Sequence, residues 1–378
     1  MFGTETRHPP LVTRSLRRSP KAKADHSVKI LILKPSSLGD VIQALPVLRL
    51  LKLHWRHAEI YWWIDSALAP LLEGDPDLAG VVRFERRRWA KPRYWPEMCR
   101  SIRSLREKNF DLVIDLQCLA RSAAFAWLAN GKKLVGLDEV REGARAFYDL
   151  AVPRKSFHTH AVDWYLSVLP RLEVPVHHHF DWLPVRPAVA NDVRRKWPDN
   201  PSHLLAAPKR NPGGSALRSP DWIALQPGAR WQNKRWPVEN FTELVRLLAP
   251  KFPHARFAIL GDKGDLLLGD IIADAAPERC LNLCGATSLP EMVEWVRRCD
   301  VMITNDTGPM HAAAALGKPL VALFGPTEPR RTGPYGQGQN VLRVNLPCSP
   351  CMRPRCSFEK PEECLRALSP AQVIARLG

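Results

Sequence analysis

Val28-Lys-Ile-Leu-Ile-Leu33 runs directly into Lys34-Pro-Ser-Ser-Leu-Gly-Asp40, and a helical pattern follows from about Val41 to Leu53. The first piece is a short apolar run rich in β-formers and reads as a buried strand. The second carries proline, serine and glycine punctuation and reads as a loop. Pro46 is tolerated only near the first turn of the helix or at a kink. Strand-like segments then recur at Ala58–Ile64, Val81–Phe84, Asp111–Leu116 and Lys133–Gly136, separated by helix-like stretches. Strands alternating with helices imply parallel βαβ units.

The texture changes from about His177 to Pro220, where a His triplet, many prolines and Asn211-Pro-Gly-Gly-Ser-Ala-Leu-Arg-Ser-Pro220 show little periodicity. This stretch reads as an interdomain connection or insertion. A second alternating series follows: strand Trp222–Gln226, a loop, a helix opening at Pro237, and strand Arg256–Leu260. Ser288-Leu-Pro-Glu291 is a capping-box signature before a further helix. Strand Val301–Thr304 leads into Asn305-Asp-Thr-Gly308, and strand Pro319–Phe324 ends at Gly325-Pro-Thr327. The fold class expected is α/β, with two Rossmann-like halves whose polar loops lie at the carboxyl ends of the strands, the edge at which open α/β sheets bind ligands.

A length of 378 residues suits two domains at about 100–200 residues each, and 45% hydrophobic with 25% charged residues is an ordinary globular balance. Wholesale disorder is excluded. No run of about 18 apolar residues occurs, which excludes a membrane-spanning helix. The N-terminus lacks the apolar region of a secretory signal, so the chain is expected in the cytoplasm. The nine cysteines are odd in number and scattered, which argues against a disulfide framework. The formal charge is +17. Seven basic residues oppose two acidic ones within 1–29, and ten oppose three between Arg83 and Lys108. Such patches attract phosphates on lipid headgroups, nucleotides or nucleic acid. In the second patch Trp89, Tyr94 and Trp95 sit among the charges, a mixture that suits a membrane-surface or glycan-facing loop as well as it suits nucleic acid.

Four constellations carry candidate chemistry. In Lys34–Asp40, Ser36, Ser37 and Gly39 offer hydroxyls and close backbone approach at a helix N-terminus, where an anion is favoured. Asp40 is either that helix's cap or a carboxylate facing a cleft. In Asn305–His311, Thr307 and the amides near Gly308 suit a diphosphate, and Asp306 suits sugar hydroxyls or a further cap; His311 reads as a packing residue. In Gly228–Trp236, Arg230, Lys234 and Arg235 follow a strand, where a lysine can neutralise a phosphate leaving group. Cys348-x2-Cys351-x4-Cys356-x7-Cys364 has the character of a structural zinc site or of a reduced thiol cluster. No P-loop and no G-x-G-x-x-G after a strand is present. Asp75-Pro-Asp77 resembles a D-x-D metal motif but reads as a turn.

Taken together, Lys34–Leu48, Asp111–Ala123, Leu225–Pro237, Asn305–Pro329 and the tail cysteines resemble glycosyltransferase family 9, the ADP-heptose:lipopolysaccharide heptosyltransferases, over about Val28 to Leu368. The resemblance implies a GT-B architecture, two Rossmann-like domains facing a central cleft. The implied organisation is a disordered basic tail over 1–26, an acceptor domain over 27–180, a linker or insertion over 181–221, a nucleotide-sugar domain over 222–345 and a cysteine-containing tail over 346–378. By the same resemblance Asp40 is the general base of an inverting transfer and Lys234 assists at the diphosphate. Thr307 and Gly308 would hold the diphosphate, Asp306 the heptose, and Gly228, Arg230, Asp262 and Asp265 complete the donor side. The acceptor side comprises Ser36, Ser37, Gly39, Arg86, Arg87, Arg88, Gln117 and Arg121.

No cofactor is required on this reading, apart from a structural zinc at the tail. The partners implied are ADP-heptose, a lipopolysaccharide core acceptor linked to lipid A and an anionic membrane surface, with no nucleic acid. The implied location is peripheral, at the inner face of the inner membrane. Cleft closure is expected to desolvate Asp40 and raise its pKa toward the range useful to a base. Two alternatives share these features: a nucleotide-sugar epimerase or other sugar transferase on the same fold, and a non-catalytic anion-binding module.

Overall fold

Residues 27–139, 142–196 and 220–377 are described by the computed structural model of the chain. The basic tail over 1–26 and the stretch 197–219 lie outside the described residues. The apolar run read as the first strand is β1 (Lys29–Leu33), with Ile30, Leu31 and Ile32 wholly buried. It lies at the centre of a sheet with β2 (Glu59–Asp65), β3 (Gly80–Phe84), β4 (Leu112–Asp115), β5 (Lys133–Asp138) and β6 (Leu150–Pro153). The spatial order is β3-β2-β1-β4-β5-β6, and every pairing is parallel.

The second half repeats the plan. β7 (Trp222–Gln226), β8 (Arg256–Ile259), β9 (Cys280–Asn282), β10 (Val301–Asn305), β11 (Leu320–Phe324) and β12 (Val341–Arg343) pair in parallel in the order β12-β11-β10-β7-β8-β9. In both sheets the chain reverses its direction of winding at the centre, between β1 and β4 and between β7 and β10. Those are the switch points at which a crevice opens beyond the carboxyl ends of the strands.

The helix Leu38–His54 follows β1 and is buried from Val41 to Leu51 on all sides. A helix that is apolar all round has neighbours all round, and here these are the first sheet on one side and the second domain on the other. Pro46 lies well inside it rather than in the first turn, and the helix starts three residues earlier than its apolar pattern suggests. The proline leaves one backbone carbonyl without its helical donor.

Two segments acquire structure that the sequence pattern hides. The helix Pro187–Lys196 forms within the stretch read as linker. It packs on the helix Leu289–Arg298 through buried Val193, and Arg298 donates to the Ala190 carbonyl at 3.0 Å. In the tail, the helices Glu363–Arg366 and Pro370–Leu377 place Leu365, Leu368, Val373 and Leu377 in the core of the second domain. Their period is correct but too short to stand out. Trp236 Nε1 donates to the Leu368 carbonyl at 2.9 Å, fastening that tail beside the loop that carries Lys234. No helix among the described residues is long and apolar enough to cross a membrane.

Because Leu365 is fully buried, Leu365→Ala should lower unfolding stability by about 2–5 kcal/mol, read as a fall in the urea midpoint with an unchanged slope. A loss under about 0.5 kcal/mol would show that the tail is not part of the second core.

Candidate functional site

Asp40 occupies the third position of its helix, where Ser37 turns the chain off β1. Its Oδ2 accepts from the Ser37 amide at 3.0 Å and from Ser37 Oγ at 2.7 Å. Its Oδ1 accepts from the Tyr165 hydroxyl at 3.0 Å. Beneath it lies buried Lys34, whose Nζ donates to the Leu116 carbonyl at 3.1 Å and sits 4.7 Å from the centre of the Tyr165 ring. Burial alone would raise the Asp40 pKa, but the Lys34 charge and the hydrogen bonds from Ser37 and Tyr165 outweigh it. The carboxyl is held below its usual 3.8. This corrects the expectation that desolvation would raise it: the half-buried carboxyl is desolvated, but it meets a cation and three donors that favour the charged form. Burial, and then the Asp40 charge, push the Tyr165 phenol well above 10, so it remains a donor throughout the physiological range.

Across the cleft, Lys234 pairs with Asp306 at 2.6 Å, and Thr327 Oγ1 donates to the same Asp306 oxygen at 2.6 Å. Asp306 is therefore not a helix cap. It is the anion between a lysine from the loop after β7 and a threonine from the loop after β11. Lys234 Nζ also stands 4.8 Å from the centre of the Trp231 ring. Thr307 begins the helix Gly308–Ala315 without a capping hydrogen bond from its side chain, which leaves the hydroxyl and the first amides available to an anion.

The two half-sites meet through glycine. A Cβ on Gly39 would lie 2.3 Å from His311 Cδ2, and one on Gly308 would lie 2.6 Å from Leu38 Cδ2. The helices Leu38–His54 and Gly308–Ala315 thus face each other start to start, one from each domain. His311, expected only to pack, lies between the two carboxylates. Burial pushes its pKa down to about 4 against the opposing pull of Asp306 and Asp40, so the imidazole is neutral at physiological pH.

The remaining candidates divide. Asp265 is buried, pairs with Arg235 at 3.2 Å and backs Gly228; it supports the loop after β7 from behind. Asp262 is exposed and caps Gly264 at 2.7 Å, and Arg230 is exposed beside the Lys234 loop. Ser36 is half-buried next to Ser37. Gln117 lies at the end of β4, its amide bound to Asp115 at 2.8 Å and its Oε1 buried without a hydrogen-bond partner. Arg121 is exposed on the next helix. All three arginines of the triplet are exposed, and Arg88 also pairs with Glu97 at 3.0 Å and stacks on Tyr94. Asp75 and Asp77 both bind Arg49, at 2.5 and 2.7 Å, which supports reading them as a turn rather than a metal motif.

Among the described residues no group of three or more His, Cys, Asp or Glu side chains is arranged to hold a metal ion. Cys348, Cys351, Cys356 and Cys364 are free thiols. The Cys356 sulfur accepts from the Glu362 amide at 3.2 Å. Burial and the three neighbouring thiols push Cys364 up to about 11. The segment holds the loops after β7 and β11 through the backbone: Asn233 Nδ2 donates to the Arg353 carbonyl at 2.9 Å, and the Met352 amide to the Pro326 carbonyl at 2.7 Å.

Lys34, Tyr165, His311 and Thr327 are the site-facing residues that sequence reasoning did not assign. Lys34, His311 and Thr327 lie inside the segments that flagged the site. Tyr165, 125 residues from Asp40, gave no local signal.

Comparison with known proteins agrees with this geometry. The family model for glycosyltransferase family 9 (heptosyltransferase) matches residues 98–361. Lipopolysaccharide heptosyltransferase 1 of Pseudomonas aeruginosa is 28% identical, over 93% of this chain and 97% of its own length. Lipooligosaccharide heptosyltransferase 2 of Haemophilus influenzae is also 28% identical, over 84% of this chain and 89% of its own. Among solved structures, the Escherichia coli ADP-heptose heptosyltransferase II superposes with a TM-score of 0.71 at 25% identity, over 93% and 97% of the two chains. A family 9 glycosyltransferase from Veillonella parvula superposes with a TM-score of 0.73 at 23% identity, again over 93% and 97%.

Tyr165→Phe removes a donor that favours charged Asp40, so the carboxyl pKa should rise. The acid limb of the pH profile of kcat/KM should then move to higher pH while thermal stability changes little. A limb that does not move would mean that the hydroxyl does not act on Asp40.

Proposed function

The chain belongs to glycosyltransferase family 9, the heptosyltransferases, and from that premise we propose that it moves a heptose from ADP-heptose to a hydroxyl of a lipopolysaccharide core acceptor by inverting displacement. The observation that carries the reading is the placement of Asp40 and of the Lys234–Asp306 pair on either side of neutral His311, which abuts Gly39 and feels the charge of both carboxylates. The GT-B arrangement provides the cleft: the front domain presents Asp40, and the rear domain presents two switch-point loops suited to a diphosphate sugar.

In this mechanism the acceptor hydroxyl binds the Asp40 carboxylate in place of one of its present donors. The exchange keeps the carboxylate ionised, and the hydroxyl proton becomes acidic as its oxygen begins to bond to carbon. The acceptor oxygen bonds to the anomeric carbon while its proton passes to Asp40. The bond from that carbon to the diphosphate breaks on the opposite face, and its electron pair leaves with ADP. Lys234 exchanges Asp306 for the diphosphate and meets the developing charge, together with the amides that begin the helix Gly308–Ala315. Asp306, still held by Thr327, then turns to the hydroxyls of the sugar. Tyr165 and Lys34 are positioning residues: they orient Asp40 and keep it ionised until the acceptor arrives.

The acceptor approaches beside the exposed basic surface around Arg86, Arg87, Arg93 and Arg100, where Trp95 is 53% exposed. Cations interleaved with an exposed aromatic suit an anionic membrane surface and the phosphates of a lipid-linked acceptor. This supports a peripheral position at the inner face of the inner membrane. The transfer needs no divalent cation on this reading, because the only D-x-D is committed to Arg49.

Asp40→Asn should cut turnover by about 10²- to 10⁴-fold while ADP binding, followed by calorimetry, persists. The assay is product mass with a panel of nucleotide sugars and truncated lipopolysaccharides. Unchanged turnover would remove Asp40 from the mechanism, and conversion of the nucleotide sugar without an acceptor would favour an epimerase. EDTA should leave the rate unchanged. Replacing Arg86 and Arg87 by Gln should raise the acceptor KM more than the donor KM and weaken sedimentation with vesicles containing anionic lipid; an equal loss of both substrates would refute that assignment.

A further inference from the structure

A second charged cluster crosses the cleft beside Asp40 and takes no part in the mechanism above. Glu139 follows β5, Arg154 follows β6, and Arg331 lies in the short helix Pro329–Thr332 after β11. One carboxylate oxygen, Glu139 Oε1, stands 3.5 Å from Arg154 Nη1 and 3.1 Å from Arg331 Nη2. Two guanidinium groups from different domains therefore share one acid. Both are largely shielded, with side chains 10% and 13% exposed, whereas Glu139 is 30% exposed.

Each guanidinium is also oriented independently of Glu139. Arg154 stacks 4.7 Å from the Trp164 ring and donates to the Thr159 carbonyl at 2.5 Å. Arg331 stacks 4.4 Å from the Phe157 ring. Burial lowers the pKa of Arg154, and the adjacent Arg331 lowers it further, as expected where two like charges are held together with too little opposite charge. Trp164 and Tyr165 are consecutive in the helix Ala161–Leu166. Trp164 carries Arg154 and Tyr165 donates to Asp40, and the Arg154 charge acts on the Tyr165 phenol, so the cluster lies close to the Asp40 carboxylate.

We infer that Arg154 and Arg331 form an oxyanion subsite for the acceptor, taking a carboxylate or a phosphate monoester carried close to the hydroxyl that Asp40 activates. The inference rests on the reading of Asp40 as the base at the acceptor edge. Planar guanidinium groups held by stacking are suited to bidentate recognition of such anions. A singly charged group would bring the cluster to neutrality. Glu139 acts as a placeholder that keeps the arginines apart and aligned until the acceptor anion arrives. Because one arginine comes from each domain, the anion also draws the cleft together at the moment when both substrates are in place. A neutral acceptor could not replace Glu139 at the two cations and would bind poorly, which makes the cluster a specificity element as well as a docking point.

The test uses the full-length enzyme and three probes: a truncated lipopolysaccharide, the same material with its carboxylates amidated, and the same material dephosphorylated. Equilibrium binding of each is measured without donor, and KM and kcat are measured with ADP-heptose. Arg331→Gln should weaken binding of the unmodified probe about 10- to 100-fold, the range of a charge-assisted hydrogen bond, with the donor KM unchanged. One of the two chemical modifications should cause the same loss in the native enzyme and no further loss in the variant, and this identifies the anion. Glu139→Gln should preserve or tighten binding, because it removes the competing carboxylate.

If the cluster is only a clamp between domains, Glu139→Gln and Arg331→Gln will both weaken acceptor and donor alike, and modification of the probe will add to the loss; that pattern overturns the proposal. The binding arm needs no turnover. Absence of transfer with normal anion-dependent binding would therefore count against the reading of Asp40 and leave the subsite standing, whereas transfer without anion dependence would do the reverse.

Discussion

The close approach of two helix starts, Leu38–His54 from the front domain and Gly308–Ala315 from the rear, is the constraint on which the site depends. It is possible because Gly39 and Gly308 have no side chains at the points of contact: a methyl group on either would overlap its neighbour across the cleft. Helix starts carry free amides and the positive end of the helix dipole. Bringing two of them together would be unfavourable without anions, and each brings one, Asp40 in the first turn of one helix and Asp306 just before the other. The same geometry that allows the domains to meet therefore places the two carboxylates on opposite sides of a single gap.

The two carboxylates are held by different partners. Asp40 is held by Ser37, Tyr165 and the buried Lys34, all from the front domain. Asp306 is held by Lys234 and Thr327, both from the rear domain. Each half-site is balanced in itself, so the domains can separate without leaving a bare charge in either. Substrates then act by exchange: an acceptor hydroxyl replaces a donor to Asp40, and a diphosphate replaces Asp306 at Lys234. His311, neutral and between them, adds no charge to the balance. The Arg154–Glu139–Arg331 cluster is different, because its balance requires both domains and still leaves a positive excess.

Much of this was legible from the chain. Short apolar strands alternating with helices, and the punctuated loops after Leu33, Gln226 and Thr304, are local patterns, and they identified the two Rossmann-like halves and the switch-point loops in which Asp40, Lys234, Asp306, Thr307 and Gly308 lie. A strand must hide its apolar residues and a loop must turn, and both demands are written in consecutive letters. The helix Pro187–Lys196 and the tail helices were hidden for the opposite reason, since their apolar contribution is a few residues whose partners lie far away in sequence.

Residue types and loop positions were thus determined by the sequence itself, because local propensity and the burial pattern depend on near neighbours. The electrostatic state of each group was decided only by tertiary structure. Asp40 was expected to be a desolvated, raised carboxyl, and its lowered state follows from Tyr165 and Lys34 reaching it through the fold. Asp265 and Arg88 proved to be occupied by Arg235 and Glu97. His311 became a neutral wall of the cleft through burial against Gly39. Charge acts through space and falls off with distance and screening rather than with separation along the chain, so no run of letters could report which partners these groups would meet.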